Sequence, residues 1–360
     1  MRILIVKVSS LGDVIHTLPV LYPLREHYPE AHISWLVEQE AAELILDHPL
    51  IDRVLIFPKT RWLRGLKNHR HLRLTISEAV TFIKNLRTNS YDLVLDFQGL
   101  LKTGILISMC RGIRKRGFAP TKEKSHIFLN ETVPRPSFPL HAVDRYLQLV
   151  TTLGCSCKAP RFFIPIRQIH RDSVGAFFES RGMSIDRPLV ILHPAARWKS
   201  KLWEESKWAQ LGDLLVRDGV QVIFTGSQDD APLIRNISRR MKYPGIDTAG
   251  LWDLRELAFL FSRADIVVVP DSGCMHLAAA VGTPVVALFG PTDPALTGPY
   301  GDGHTVIAKP VDCRPCFKRT CVSNRCMTDI SAEEVWGKSK PYLCASTNLF
   351  SMREDCHGIK

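Results

Sequence analysis

No apolar run in this 360-residue chain approaches the roughly 20 residues that a membrane-spanning helix needs. The first strand begins almost at once, at Ile3-Leu4-Ile5-Val6, so no cleavable leader is expected and the cytoplasm is the expected compartment. Asp-x-Asp is absent, and with it the carboxylate pair that commonly holds a divalent ion on a diphosphate. The turn after the first strand is too short for G-x-G-x-x-G, which excludes a dinucleotide fingerprint there. Acidic residues are in deficit, 36 against 47 Lys and Arg, for a net charge of +11. That imbalance points to an acidic partner: nucleic acid, anionic lipid or a phosphorylated ligand. No recognisable nucleic-acid-binding module is present, which argues against the first of these.

What is present is a soluble-protein composition, 45% hydrophobic and 23% charged, in a chain long enough for two domains. Apolar, β-branched runs at 2–8, 32–37, 53–57 and 92–96 predict strands, with helices over 18–27 and 76–87. Nearly continuous runs such as Leu93-Val94-Leu95 suit a sheet covered on both faces. The alternation predicts parallel βαβ units. From 116 to 140 the pattern weakens into basic, Pro-rich loop, and a helix follows over 143–153. The second half repeats the logic, with strands at 189–192, 220–224, 266–269 and 285–289 and helices at 203–216, 231–241, 254–262 and 276–281. The expected layout is a Rossmann-like domain over 1–160, a connection over 161–187 with one short helix near 174–180, a second Rossmann-like domain over 188–338, and a tail from 339 to 360.

After the first strand the chain turns through Ser9-Ser10-Leu11-Gly12 and enters a helix near Asp13. Ligands of open parallel sheets bind beyond the carboxyl ends of strands, and Gly12 permits close backbone approach. By position alone, Asp13 is equally a helix cap and a functional carboxylate. In the second half, Asp265-Ile266-Val267-Val268-Val269-Pro270 leads into Asp271-Ser272-Gly273-Cys274-Met275-His276. A strand, a turn of small residues and a helix start offer free backbone N–H groups to phosphate. A second turn, His193-Pro194-Ala195-Ala196-Arg197, precedes Lys199-Ser200-Lys201-Leu202-Trp203. A lysine there can neutralise a diphosphate leaving group.

Taken together, residues 7–16, 193–203 and 271–290 resemble the ADP-heptose:lipopolysaccharide heptosyltransferases, and the likeness runs from Met1 to about Trp336. The resemblance implies the α/β GT-B fold, two Rossmann-like domains with parallel sheets facing a central cleft. It implies inverting transfer of L-glycero-D-manno-heptose from ADP-heptose to the inner core (Kdo or heptose), with no cofactor or metal required. Asp13 takes the family's general-base position, beside Ser10 and Gly12 on the donor side. Partial burial is expected to raise the Asp13 pKa toward the working range. His16, one turn later, is expected to support rather than to act as the base. Asp271, Ser272, Gly273 and His276 match the Asp-(Ser/Thr)-Gly-x-x-His donor motif, and a lysine two residues before a tryptophan selects Lys201. Ala195 and Ala196 stand where relatives often carry hydroxyls, so phosphate contacts there fall to backbone N–H, Arg197 or Lys199. Gln228 falls near the ribose position and Trp252 where an apolar side chain meets adenine.

Two basic clusters lie in the first half. Residues 59–73 carry six Lys or Arg and no acid, and Arg111, Arg114, Lys115, Arg116, Lys122 and Lys124 form the other. The resemblance implies an acidic acceptor of the Kdo-lipid A type at an anionic membrane, hence the inner face of a Gram-negative inner membrane. Arg61, Arg64 and Lys67 are the chosen acceptor contacts, since guanidinium groups pair carboxylate and phosphate. Cys313, Cys316, Cys321 and Cys326 lie within 14 residues, but the second pair is too widely spaced for the usual zinc pattern. A structural loop, with or without metal, is expected there. The rival readings are a GT-B enzyme with another nucleotide sugar and a non-catalytic binder of acidic glycolipid.

Overall fold

Strand cores rich in Ile, Val and Leu, apolar on both faces, can be satisfied only in the middle of a helix-covered sheet. The computed structural model, which describes residues 1–67, 72–184 and 186–344, contains two such sheets in two compact units, Met1–Pro165 and Ile166–Lys360.

In the first unit the elements are β1 (Arg2–Val6), α1 (Leu11–Thr17), α2 (Leu21–His27), β2 (His32–Glu38), α3 (Gln39–Ala42), β3 (Arg53–Phe57) and α4 (Lys59–Leu66). They continue with α5 (Leu72–Thr88), β4 (Ser90–Asp96), α6 (Leu101–Met109), β5 (Arg111–Ala119), β6 (Glu131–Pro134) and α7 (Ala142–Thr151). The sheet order is β3-β2-β1-β4-β5-β6, and every pairing is parallel. Ile5 of β1 sits opposite Trp35 and Leu95, all three fully buried. Strand order reverses between β1 and β4, and ligands of such sheets bind at that switch point.

The second unit begins with α8 (Gln168–Ser180), β7 (Leu189–Leu192), α9 (Glu205–Arg217), β8 (Gln221–Phe224), α10 (Ala231–Arg240), β9 (Ile246–Asp247) and α11 (Leu254–Arg263). It ends with β10 (Ile266–Pro270), α12 (Gly273–Ala280), β11 (Val285–Phe289), α13 (Pro294–Thr297), β12 (Thr305–Ala308), α14 (Arg325–Thr328) and α15 (Ala332–Cys344). Its order, β12-β11-β10-β7-β8-β9, again reverses at the centre, between β7 and β10.

Several expectations need correction. The basic run 111–116 and part of the expected loop after it form strands β5 and β6, because Glu131 pairs with both Arg114 and Arg116 across them. The short strands β9 and β12 were also unforeseen. The basic stretch from 59 is helix α4, while Asn68, His69, Arg70 and His71 lie outside the described residues. The expected helix over 18–27 opens with a 3-10 turn, Leu18–Val20, that contains Pro19. The helix near 174–180 starts at Gln168, and its Phe177 meets Trp252 edge-on at 5.0 Å. Residues 339–344 continue α15 in spite of Pro341. Buried Ser339 donates to Val335 O, and the Tyr342 hydroxyl bonds Thr305 Oγ1 of β12 at 2.8 Å. The rest of the expected tail, with Cys356, lies outside the described residues.

Candidate active site

Asp13 stands in the first turn of α1, immediately beyond the carboxyl end of β1. Its Oδ2 accepts from Ser10 N at 3.0 Å and from Ser10 Oγ at 2.9 Å. The capping role is therefore real, and Ser10 serves Asp13 directly. The Oδ1 atom accepts from Tyr146 OH at 3.2 Å and lies 3.3 Å from Lys7 Nζ. Lys7 is buried and also donates to Tyr146 OH at 2.6 Å and Phe97 O at 3.0 Å. Burial acts to raise the Asp13 pKa, but the Lys7 charge and the Ser10 hydrogen bonds outweigh it, and the net shift is downward. The expectation of a raised pKa is thus overturned: desolvation was considered without the buried counter-charge. Lys7 is desolvated too, and the Asp13 charge with Tyr146 raises its pKa in net.

One consequence is measurable. Asp13 stays ionised down to below the usual carboxylate range, so the acid limb of kcat/KM against pH lies low in the wild type. Lys7→Met removes the counter-charge and should move that limb to higher pH. A limb that stays in place would show that Lys7 does not set the ionisation of Asp13.

Neighbouring elements hold the loop. Gln98 Oε1, beyond β4, accepts from Val8 N and Ser9 N, both at 3.1 Å. Lys102 of α6 donates to Ser9 Oγ at 2.9 Å and to Glu38 Oε1 at 2.6 Å, and Lys59 approaches the same carboxylate at 3.5 Å. Buried His16 faces the ring of His141 edge-on, with centroids 5.2 Å apart. Gly12 is buried within α1.

Two cations missed in the sequence lie beside this site. Arg145 stacks over the Tyr146 ring, its guanidinium carbon 5.3 Å from the centroid. Arg135 has its pKa lowered by burial and then by the charge of Arg145. Neither has a carboxylate partner among the described residues. Lys7 was detectable in principle, since a lysine just past an otherwise apolar central strand needs a counter-charge. Tyr146 carries no local signal at all.

In the second unit Lys201 Nζ lies 2.5 Å from Asp271 Oδ2 and 4.5 Å from the Trp198 ring centroid. Thr292 Oγ1 donates to the same Asp271 oxygen at 2.6 Å. Asp271 thus holds Lys201 and Thr292 in place, leaving further ammonium protons for an anion. Ser272 caps α12 from an extended backbone, and its buried hydroxyl has no partner among the described residues. With Gly273 opening the helix, this start presents unpaired N–H groups. Buried His276 sits one turn further along α12. Ala195 is buried and Ala196 half-buried in the turn after β7. Gln228 rests against Gly250, a left-handed position (φ +76°) where a Cβ would collide with Gln228 Oε1. The 226–228 and 250–252 turns are thereby joined, and Gly250 N donates to Gly226 O at 2.9 Å. The half-buried Trp252 has its indole N–H buried without a partner among the described residues.

The cysteine segment braces this site. Cys316 N and Phe317 N donate to Pro291 O, and Ser200 bonds Lys318 O and Arg319 O. Arg319 shares the Trp198 ring with Lys201. All four thiols are free. Burial and then the other three cysteines raise the Cys326 pKa, while the Asn324 N–H lowers that of Cys321. Among the described residues no three His, Cys, Asp or Glu side chains are placed to hold a metal ion.

His193, at the end of β7, is buried and bonds Thr225 Oγ1 at 3.0 Å. Burial lowers its pKa to about 4. The unfolded state takes up this proton near 6.5 and the folded state does not, so this group should cost the fold about 3 kcal/mol as pH drops from 6.5 toward about 4. Thermal melts across that range should show His193→Gln losing less stability than the wild type. Equal losses would contradict the assignment.

Of the acceptor candidates, Arg61 is ion-paired with Glu78. Arg64 and Lys67 are exposed on and just after α4.

The chain is similar in sequence and fold to known proteins. The family described as glycosyltransferase family 9 (heptosyltransferase) matches residues 79–327. Lipopolysaccharide heptosyltransferase 1 of Pseudomonas aeruginosa is 32% identical over 336 residues, 89% of this chain and 87% of that one. The structure of E. coli heptosyltransferase WaaC with ADP superposes with a TM-score of 0.75 at 25% identity, covering 95% of this chain and 100% of that one. The family 9 glycosyl transferase of Veillonella parvula has the same fold, with a TM-score of 0.81 at 23% identity over 95% of this chain and 97% of that one.

Proposed function

Because this chain belongs to glycosyltransferase family 9, the heptosyltransferases, we propose that it moves L-glycero-D-manno-heptose from ADP-heptose to the inner core of a lipopolysaccharide precursor, with inversion. The observation that carries this reading is the Asp13 carboxylate, held by Lys7, Tyr146 and Ser10 beyond β1. In the transfer, an acceptor hydroxyl oxygen bonds the anomeric carbon while the bond from that carbon to the diphosphate breaks. The hydroxyl proton passes to Asp13, and the bonding electron pair leaves on ADP. A carboxylate with a lowered pKa is a weak base, so it takes this proton only as the new bond acidifies the hydroxyl.

The donor diphosphate falls to Lys201, the Ser272 hydroxyl and the α12 N–H groups from Gly273, with Asp271 positioning Lys201. His276 backs that turn. Ala195 and Ala196 offer backbone N–H, and Gln228 and Trp252 take ribose and adenine. Arg135 and Arg145, cationic and unpaired beside Tyr146, suit an acceptor that carries carboxylates, with Arg64 and Lys67 further out. Such an acceptor sits at an anionic membrane surface, where the protein works as a peripheral enzyme. No helix among the described residues is long and apolar enough to cross the bilayer.

Thermal shift with ADP and UDP tests the donor reading. At about 100 times Kd, ADP should stabilise the protein by about 2.7 kcal/mol, with UDP far less effective. Equal stabilisation by UDP would favour a different nucleotide sugar, and no response to either would overturn the reading.

A further inference from the structure

The α4–α5 hairpin has a settled inner side. Trp62 of α4 meets Phe57 and Phe82 edge-on, at 5.3 and 5.5 Å between centroids. Gly65 lies so close over Thr75 that a Cβ there would collide with its hydroxyl. The Arg61–Glu78 ion pair ties the two helices together. The core therefore takes its aromatic contacts from one side of each helix, and the remaining large apolar residues point elsewhere.

Leu63 and Leu66 on α4, with Leu74, Ile76 and Val80 on α5, are 46–55% exposed. Their spacing is ordered. On α4, Lys59, Leu63, Leu66 and Lys67 stand at i, i+4, i+7 and i+8, a single helical stripe. On α5, Arg73, Ile76, Val80 and Lys84 form a second at i, i+3, i+7 and i+11. Each stripe has aliphatic residues in the middle and cations at its ends. Long cationic side chains keep their heads in the polar layer while aliphatic neighbours enter apolar surroundings.

Charge selects the occupant. Between 59 and 88 there are eight Lys or Arg and one acid, Glu78, and that acid is spent on Arg61. A second copy would bring the same positive face and be repelled. Nucleic acid would use the cations and leave the five aliphatic residues in water. An anionic bilayer satisfies both sets of groups at once.

We propose that the outward face of α4 and α5 docks onto the headgroup–acyl boundary of an anionic phospholipid membrane, which gives the peripheral reading above a defined surface and rests on it. Leu63, Leu66, Ile76 and Val80 enter the boundary, and Lys67, Arg73 and Lys84 engage the headgroups, while Lys59 stays with Glu38. The surface shares no residue with the nucleotide site, so membrane binding and ADP binding stand or fall separately.

Flotation of the full chain with phosphatidylcholine vesicles, with and without about a third phosphatidylglycerol, tests this. The wild type should float with the anionic vesicles and lose that binding in high salt. The triple variant Leu63→Ser, Leu66→Ser, Ile76→Ser should partition on the order of 100-fold more weakly, while its thermal shift with ADP matches the wild type. Lys67→Gln with Arg73→Gln should weaken partition several-fold and flatten its salt dependence. A wild type that ignores anionic vesicles would overturn the proposal, as would a triple variant that partitions normally. Lipid-free self-association that the triple variant abolishes would assign the face to a second copy instead. Tight binding of a short RNA duplex that survives the triple substitution would likewise contradict it.

Discussion

Asp13→Asn should lower kcat by roughly 10²–10⁴-fold, the range for loss of a general base, and leave stabilisation by ADP unchanged. The amide oxygen can keep one of the two sets of hydrogen bonds, its nitrogen cannot accept the other, and no oxygen anion remains to take the proton. Oδ2 and Oδ1 are both engaged by the protein, which predicts a base held in one rotamer. The same contacts mean that the neutral amide loses the attraction to Lys7, so the variant's melting temperature should be recorded beside its rate. Measured kcat near the wild-type value, with folding and ADP binding intact, would show that the proton leaves by another route.

Lys201→Ala should reduce kcat/KM by about 10²–10³-fold, the size expected when a preorganised charge at a developing anion is lost, and should abolish most of the ADP shift. That contrast with Asp13→Asn is the useful part: one variant fails in chemistry, the other in holding the leaving group. Lys201 is also the partner of buried Asp271. Truncating it leaves that carboxylate with Thr292 as its remaining side-chain partner among the described residues, at a stability cost of about 3–5 kcal/mol. Pairing it with Asp271→Asn removes the stranded charge. If the double variant regains stability but not ADP response, the diphosphate role is separated from the structural one. An ADP response restored along with stability would mean that Lys201 does not hold the diphosphate.

The strands at the centre of both sheets were readable because their side chains are apolar on both faces. β5 was not, because Arg111, Arg114, Lys115 and Arg116 make it look like a solvated run. What lets it pair is Glu131 on the neighbouring strand, a contact with no local signature. The helix α4 was hidden for a similar reason: its charges were read as acceptor contacts, and Trp62, which docks it, is a single residue. Motif residues were legible at the site, as Asp13, Lys201 and Asp271–His276 lie at turns after strands. Their supports were not. Tyr146 reaches Asp13 from 133 residues away, and the Asp13 pKa cannot be signed without Lys7. The Lys201–Asp271 pair joins two motifs that the sequence presented as separate contacts to one ligand.

Heptosyl transfer to an acidic lipopolysaccharide precursor can be observed directly. Incubating the purified protein with ADP-heptose and a Kdo-terminated lipid A acceptor, then reading the acceptor by mass spectrometry and the new linkage by NMR, tests it most directly. One heptose should be added per ADP released, with an anomeric configuration opposite to that of the donor. Retained configuration, or release of ADP with no gain in acceptor mass, would contradict it.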